Sequence, residues 1–176
     1  MKLQNVWTAC AAAAVLFTTV AAVPVYAADS TQQTQFSYVQ TNEPTYTVSI
    51  ASSLALTKEG APLDITASDV AYLDGKKVSV TIAGTDYFRN QFVLSAKTSK
   101  PTYTDTIRYQ LIAADNSVIE TTGEDTATGK EIASFTDNGT VTYTVKPVLG
   151  TLNQNLEPGV SYTGTMTFGI ELVEAE

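Results

Sequence analysis

From Tyr162 to Leu172 the residues alternate without a slip. Tyr162, Met166, Phe168, Ile170 and Leu172, with Gly164 among them, fall on one side; Thr163, Thr165, Thr167, Gly169 and Glu171 fall on the other. A period of two sustained over this length is what a strand with one buried face requires. Just upstream, Pro158-Gly159 forces a turn, because Pro fixes φ and Gly accepts φ > 0. The chain is therefore expected to close in a long strand launched from a tight corner, with Tyr162 buried at its head.

The same period recurs upstream. Thr45-Tyr46-Thr47-Val48-Ser49-Ile50 alternates cleanly, and Leu54 and Leu56 are expected to continue it after a bend at Ser52-Ser53. Gly60-Ala61-Pro62 breaks that strand, and Leu63, Ile65 and Ala67 predict a short one. Asp74-Gly75 turns the chain into Lys77–Ile82, with Val78, Val80 and Ile82 facing the core. Further strands are predicted at Gln91–Ser95, Ile107–Leu111, Val118-Ile119 and Ile132–Phe135. Asn138-Gly139 predicts a hairpin from that last run into Thr140–Val145, since Asn-Gly between alternating runs is the strongest short-range hairpin signal. No stretch after the N-terminal segment holds a helical period. Short strands rich in Val, Ile, Thr and Tyr, separated by turns, predict an all-β chain folded as an antiparallel sandwich or barrel.

The N-terminus reads differently. Met1-Lys2 is a short positive start, Ala9–Val23 is an uncharged apolar run, and Val25-Tyr26-Ala27 presents small residues where a signal peptidase cuts. Residues 1–27 are expected to be a signal peptide, leaving 149 residues, one domain by length. The run is short for a membrane span, so none is expected in the mature chain. Residues 28–44, rich in Ser, Thr and Gln, read as a flexible leader or a weak first strand, and 45–176 as a single sandwich domain. Cleavage removes the only Cys (Cys10) and the only Trp (Trp7), so the exported domain has no disulfide. It also removes Lys2, leaving a net charge of −9 against −8 for the whole chain. That balance argues against nucleic-acid partners and against docking on anionic lipid.

Leu156-x-Pro158-Gly159-x-x-Tyr162 resembles the corner before a late strand of fibronectin type III and other immunoglobulin-like domains. The resemblance implies an immunoglobulin-like antiparallel β-sandwich of about seven to nine strands. It implies that the Tyr162 hydroxyl bonds to backbone a few residues upstream, with Leu156 as buried partner and Pro158-Gly159 as the turn. Tyr46–Leu56 and Tyr162–Leu172 also resemble the first and last strands of small pilin-like or adhesin-like proteins secreted by Gram-positive bacteria. Lys58 resembles the early lysine of pilin domains that form a Lys–Asn isopeptide bond, although the last strand here carries no Asn. In the immunoglobulin-like pattern a further strand follows the corner strand, and the sequence given stops at Glu176.

The chain contains no His. Without His or an available Cys, the usual zinc, copper and iron ligand sets and the Ser–His and Cys–His nucleophile pairs cannot be assembled. No cofactor is expected. A carboxylate pair is the remaining catalytic option, with Asp64, Asp69, Asp74, Asp86, Glu124 and Asp125 as candidates that turns and loops explain equally well. Glu124-Asp125 with Glu131 is the one acidic cluster with any claim on calcium. Asn138-Gly139-Thr140 matches a glycosylation acceptor, which its turn chemistry also explains. Loop aromatics are the other place to look: Tyr87 and Phe88 beside Arg89, and Tyr103 after Pro101-Thr102. If the strands run strictly up and down, one strand separates these loops to opposite ends.

Three readings follow. The first is a secreted or cell-surface structural or adhesive module without catalysis, whose partner is an unknown surface protein or glycan. The second is a carbohydrate- or protein-binding module using the loop aromatics, and the third a carboxylate-only hydrolase.

Overall fold

A computed structural model describes residues 35–150 and 155–175. The predicted signal peptide 1–27, with Trp7 and Cys10, lies outside the described residues, as does the first part of the 28–44 segment. The described part of that segment, residues 35–44, forms no strand.

Alternation does produce strands throughout. They are β1 (Thr45–Ile50), β2 (Ala61–Ala71), β3 (Lys76–Thr85), β4 (Val93–Ser95), β5 (Thr106–Ala113), β6 (Val118–Ile119), β7 (Glu131–Phe135), β8 (Gly139–Pro147) and β9 (Met166–Glu174). A single 3₁₀ turn at Phe88–Asn90 is the one helical element among the described residues. The fold is all-β, with two antiparallel sheets. One sheet has the order β1-β2-β8-β5-β4, with β6 also on β5; the other is β7-β3-β9.

The inward residues of the central strands form the core. Leu63, Ile65 and Ala67 of β2, Tyr109 and Leu111 of β5, and Tyr143 and Val145 of β8 are buried against Val78, Val80 and Ile82 of β3 and Phe135 of β7. Each buried aliphatic side chain stabilises the fold by about 1.5–3 kcal/mol relative to exposure. Phe92, just before β4, stacks on Tyr109 with centroids 5.2 Å apart and planes 7° from parallel. Its amide donates to the buried Thr121 hydroxyl at 2.7 Å. The Tyr143 hydroxyl donates to the Ile132 carbonyl at 2.8 Å, joining the two sheets.

Several expectations are corrected. Asn138-Gly139 does not make a hairpin: β7 pairs with β3 while β8 pairs with β2 and β5, so the turn passes from one sheet to the other. Neither residue takes the positive φ that a tight hairpin turn needs. Asn138 instead accepts the Val70 amide at 2.9 Å. Leu54 and Leu56 lie in irregular chain, half-buried against the core, rather than in a strand. β2 runs through Pro62, where a strand break was expected, and on to Ala71.

The closing alternation is split as well. Thr163 makes an isolated bridge with Ser95 in the first sheet, and the chain joins the second sheet only at Met166. Gly164 marks the crossing, where a Cβ would come 2.7 Å from the Val93 carbonyl oxygen. Tyr162 therefore precedes the strand, and it is half-buried rather than a core residue.

Candidate functional site

The corner is built from Glu157 upward. Glu157-Pro158-Gly159-Val160 is a β-turn, closed by the Val160 amide on the Glu157 carbonyl at 3.3 Å, with Gly159 at φ 81°. That φ belongs to the left-handed region, which is why Gly follows Pro here. The turn brings the Glu157 amide to the Tyr162 hydroxyl oxygen at 3.2 Å. The same hydroxyl donates to the Thr104 carbonyl at 2.6 Å. Tyr162 thus bonds to its own corner and to the loop between β4 and β5. Leu156 is half-buried, and Pro158 and Gly159 are exposed.

That loop is held along its length. The Thr104 amide donates to the Asn155 carbonyl at 2.9 Å, and the Asn155 side chain donates to the Thr102 carbonyl at 3.1 Å. Glu157 accepts the Ser99 amide at 2.5 Å. Tyr103 sits between these contacts, half-buried.

The loop after β3 reaches the same segment. The Asp86 amide donates to the Thr165 carbonyl at 3.1 Å, and Asp86 accepts the Thr165 amide at 2.8 Å. Arg89 and Asn90 follow with φ of 54° and 53°, left-handed values uncommon outside Gly. Asn90 supports the bend by accepting the Thr85 amide at 3.2 Å. The result leaves Tyr87 half-buried and turns Phe88 outward, 73 % exposed, with the Arg89 guanidinium 5.2 Å from its ring. Arg89 also pairs with Glu124 at 2.9 Å.

Strands running strictly up and down would place Tyr87 and Tyr103 at opposite ends of the sandwich. Both of their loops are instead bonded to the four residues Tyr162–Thr165. The reason is that β4 is only three residues long, so the chain never crosses the sandwich between the loops. Sequence reasoning passed over Asn155 and Glu157, which clamp the second loop. Their nearness to Pro158-Gly159 was the only available signal.

The acidic candidates are scattered. Asp64 accepts the Thr142 hydroxyl at 2.6 Å on the strand surface; Asp69 holds positive φ within β2, where the β1–β2 register shifts, and Asp74 does so in the turn before β3. Glu124 pairs with Arg89, while Glu131 binds Lys77 at 3.1 Å and the Ser79 hydroxyl at 2.5 Å. The proposed calcium trio is thus not brought together, and among the described residues no three potential metal-binding side chains gather. The Ser79 hydroxyl, and then Lys77, hold the Glu131 carboxyl below the usual carboxylate range. Burial, and secondarily the Asp86 charge, push the Tyr109 phenol well up. Lys58 is exposed in a turn closed by the Gly60 amide on the Thr57 carbonyl. No helix among the described residues is long and apolar enough to cross a membrane. Compared with known protein families, curated proteins and solved structures, the chain matches none.

Proposed function

We propose that this chain is an exported structural or adhesive module of the cell surface that performs no catalysis. One observation carries the reading: polar side chains at the loop end are aimed at the protein's own backbone. Asp86 holds the Thr165 amide, Glu157 the Ser99 amide, Asn90 the Thr85 amide and Asn155 the Thr102 carbonyl. A catalytic or ligand-gripping end would direct such groups outward, toward a substrate. Export rests on the Ala27 cleavage signal. An immunoglobulin-like arrangement is supported by the order β1-β2-β8-β5, in which the first two strands precede a late and then a middle one. The Tyr162 corner supports it too. The placement of β3 between β7 and β9 departs from it.

The second reading has one observation of its own. Phe88 is exposed, flanked by Arg89 and Tyr87, at the same end as Tyr103. An aromatic face beside a guanidinium suits sugar stacking or a protein contact. A glycan array probed with the wild-type chain separates the two readings. The structural or adhesive module gives no signal that depends on the loop aromatics. Specific binding abolished by Phe88→Ala, Tyr87→Ala or Tyr103→Ala would establish the binding module, and turnover of a glycoside lost on one Asp or Glu change would establish the hydrolase.

A further inference from the structure

The second sheet ends on an open strand. β9 pairs with β3 over its whole length, and no strand among the described residues pairs with its other edge. Burial records the consequence. On β3, Val78, Val80 and Ile82 are 0–1 % exposed. On β9, Met166, Phe168, Ile170 and Leu172 pack against the same core, yet all four remain only half-buried. Natural edges are usually blunted by Lys, Pro or shortness. β9 runs for nine residues without Lys, Arg or Pro, and its only charges, Glu171 and Glu174, lie in its last four residues.

The same chain carries an exposed apolar segment that joins no sheet. Residues 35–44 lie outside any ladder, and Phe36, Tyr38 and Val39 are 90, 86 and 81 % exposed. Phe36 and Tyr38 stand two apart, matching Phe168 and Ile170 in period, and no charge occurs between Gln35 and Asn42. A segment of seven residues, 35–41, reaches about 23 Å as a strand, enough to cover most of β9.

Geometry keeps this segment from its own edge. It leads into Thr45 of β1 through residues 42–44, which span about 10 Å at most. β1 lies at one margin of the first sheet, whereas Thr163, at the entry to β9, pairs with β4 at the other. Four strand spacings separate those margins, roughly 19 Å, and the sheets are about 10 Å apart. We propose that residues 35–41 of a second copy of this chain add as a strand to the outer edge of β9, placing Phe36 and Tyr38 beside Phe168 and Ile170. Donor and acceptor are different surfaces, so the contact is heterologous: each copy that accepts a strand still offers its own, and the rotation between copies sets whether the assembly closes into a ring or runs on head to tail. Main-chain bonds would supply affinity, and the paired aromatics would supply register. The inference deepens, and rests on, the reading of the chain as a structural module.

The test uses two full-length single-cysteine chains, both carrying Cys10→Ser. One carries Ser37→Cys and the other Thr167→Cys or Glu171→Cys, positions on the outward parity of donor and acceptor. Mixed under mild oxidation, the pair should give a disulfide between copies, and light scattering of the wild type should show mass rising with concentration. Phe36→Asp with Tyr38→Asp should abolish both while leaving the circular dichroism and Tm unchanged, since both rings are exposed in the single chain. A wild-type chain that stays monomeric without cross-linking would overturn the proposal. So would mass growth that survives the Asp pair. The array keeps the two conclusions apart: monomeric chain without aromatic-dependent glycan binding sinks the strand exchange alone, whereas glycan binding lost on Phe88→Ala, Tyr87→Ala or Tyr103→Ala sinks the module reading.

Discussion

Replacing Tyr162 by Phe keeps the ring and deletes a hydroxyl that makes two hydrogen bonds, one donated to the Thr104 carbonyl at 2.6 Å and one accepted from the Glu157 amide at 3.2 Å. A net intramolecular hydrogen bond contributes about 0.5–1.5 kcal/mol. Both partners lie in a half-buried setting where water can replace part of the loss, so we expect Tyr162→Phe to cost about 1–2 kcal/mol. Truncating a core aromatic to Ala costs about 3–5 kcal/mol. This ring is half-buried, so about half of that applies, and with the lost bonds Tyr162→Ala should cost about 3 kcal/mol. Thr165→Ala, an exposed side chain, should stay within about 0.5 kcal/mol. Urea unfolding measures all three, and amide exchange locates them. In Tyr162→Phe the Glu157 amide should lose protection while core amides such as those of Val78 and Val80 keep theirs. If Tyr162→Phe is neutral and Glu157 exchanges as in the wild type, the corner does not hold the loop and the reasoning fails.

Other outcomes follow from the same contacts. Gly164→Ala sets a Cβ 2.7 Å from the Val93 carbonyl oxygen and should cost about 1–3 kcal/mol by overpacking, read as a lower urea midpoint; Gly150→Ala, with open space around it, should not. Tyr143→Phe removes the bond to the Ile132 carbonyl and should cost about 1 kcal/mol in thermal unfolding. The Glu131 carboxyl is held below its ordinary value by Ser79 and Lys77. Its contribution is therefore present above the unfolded carboxylate range and lost as pH falls through the lower folded value. Acid titration of Glu131→Gln should accordingly show a shallower loss of stability than wild type in that window.

Fold class was legible because alternation is local. Runs such as Lys77–Ile82 and Thr140–Val145 show their buried face in the residues themselves, and they become β3 and β8. Pairing was not legible. Asn138-Gly139 permits a tight turn, but the ladders of β7 and β8 with other strands decide which sheet each joins. The unbroken alternation from Tyr162 to Leu172 hid a change of sheet at residues 163–165, because parity is preserved when a chain crosses between sheets in extended conformation. The aromatic loops could be named, yet their meeting at one corner depended on the shortness of β4, set by long-range contacts. Half-burial along β9 was invisible for a related reason, since a sequence shows which face is apolar but not whether a neighbour covers its edge.

The central claim, an exported structural module at the cell surface, is tested most directly by brief protease treatment of intact cells, with mass spectrometry of what is released and of the chain that remains. Peptides from residues 45–175 should be shaved from intact cells, and the mature N-terminus should lie at or within a few residues of Ala28. Protection of the chain until lysis, with a retained Met1 or Lys2 N-terminus, would contradict it.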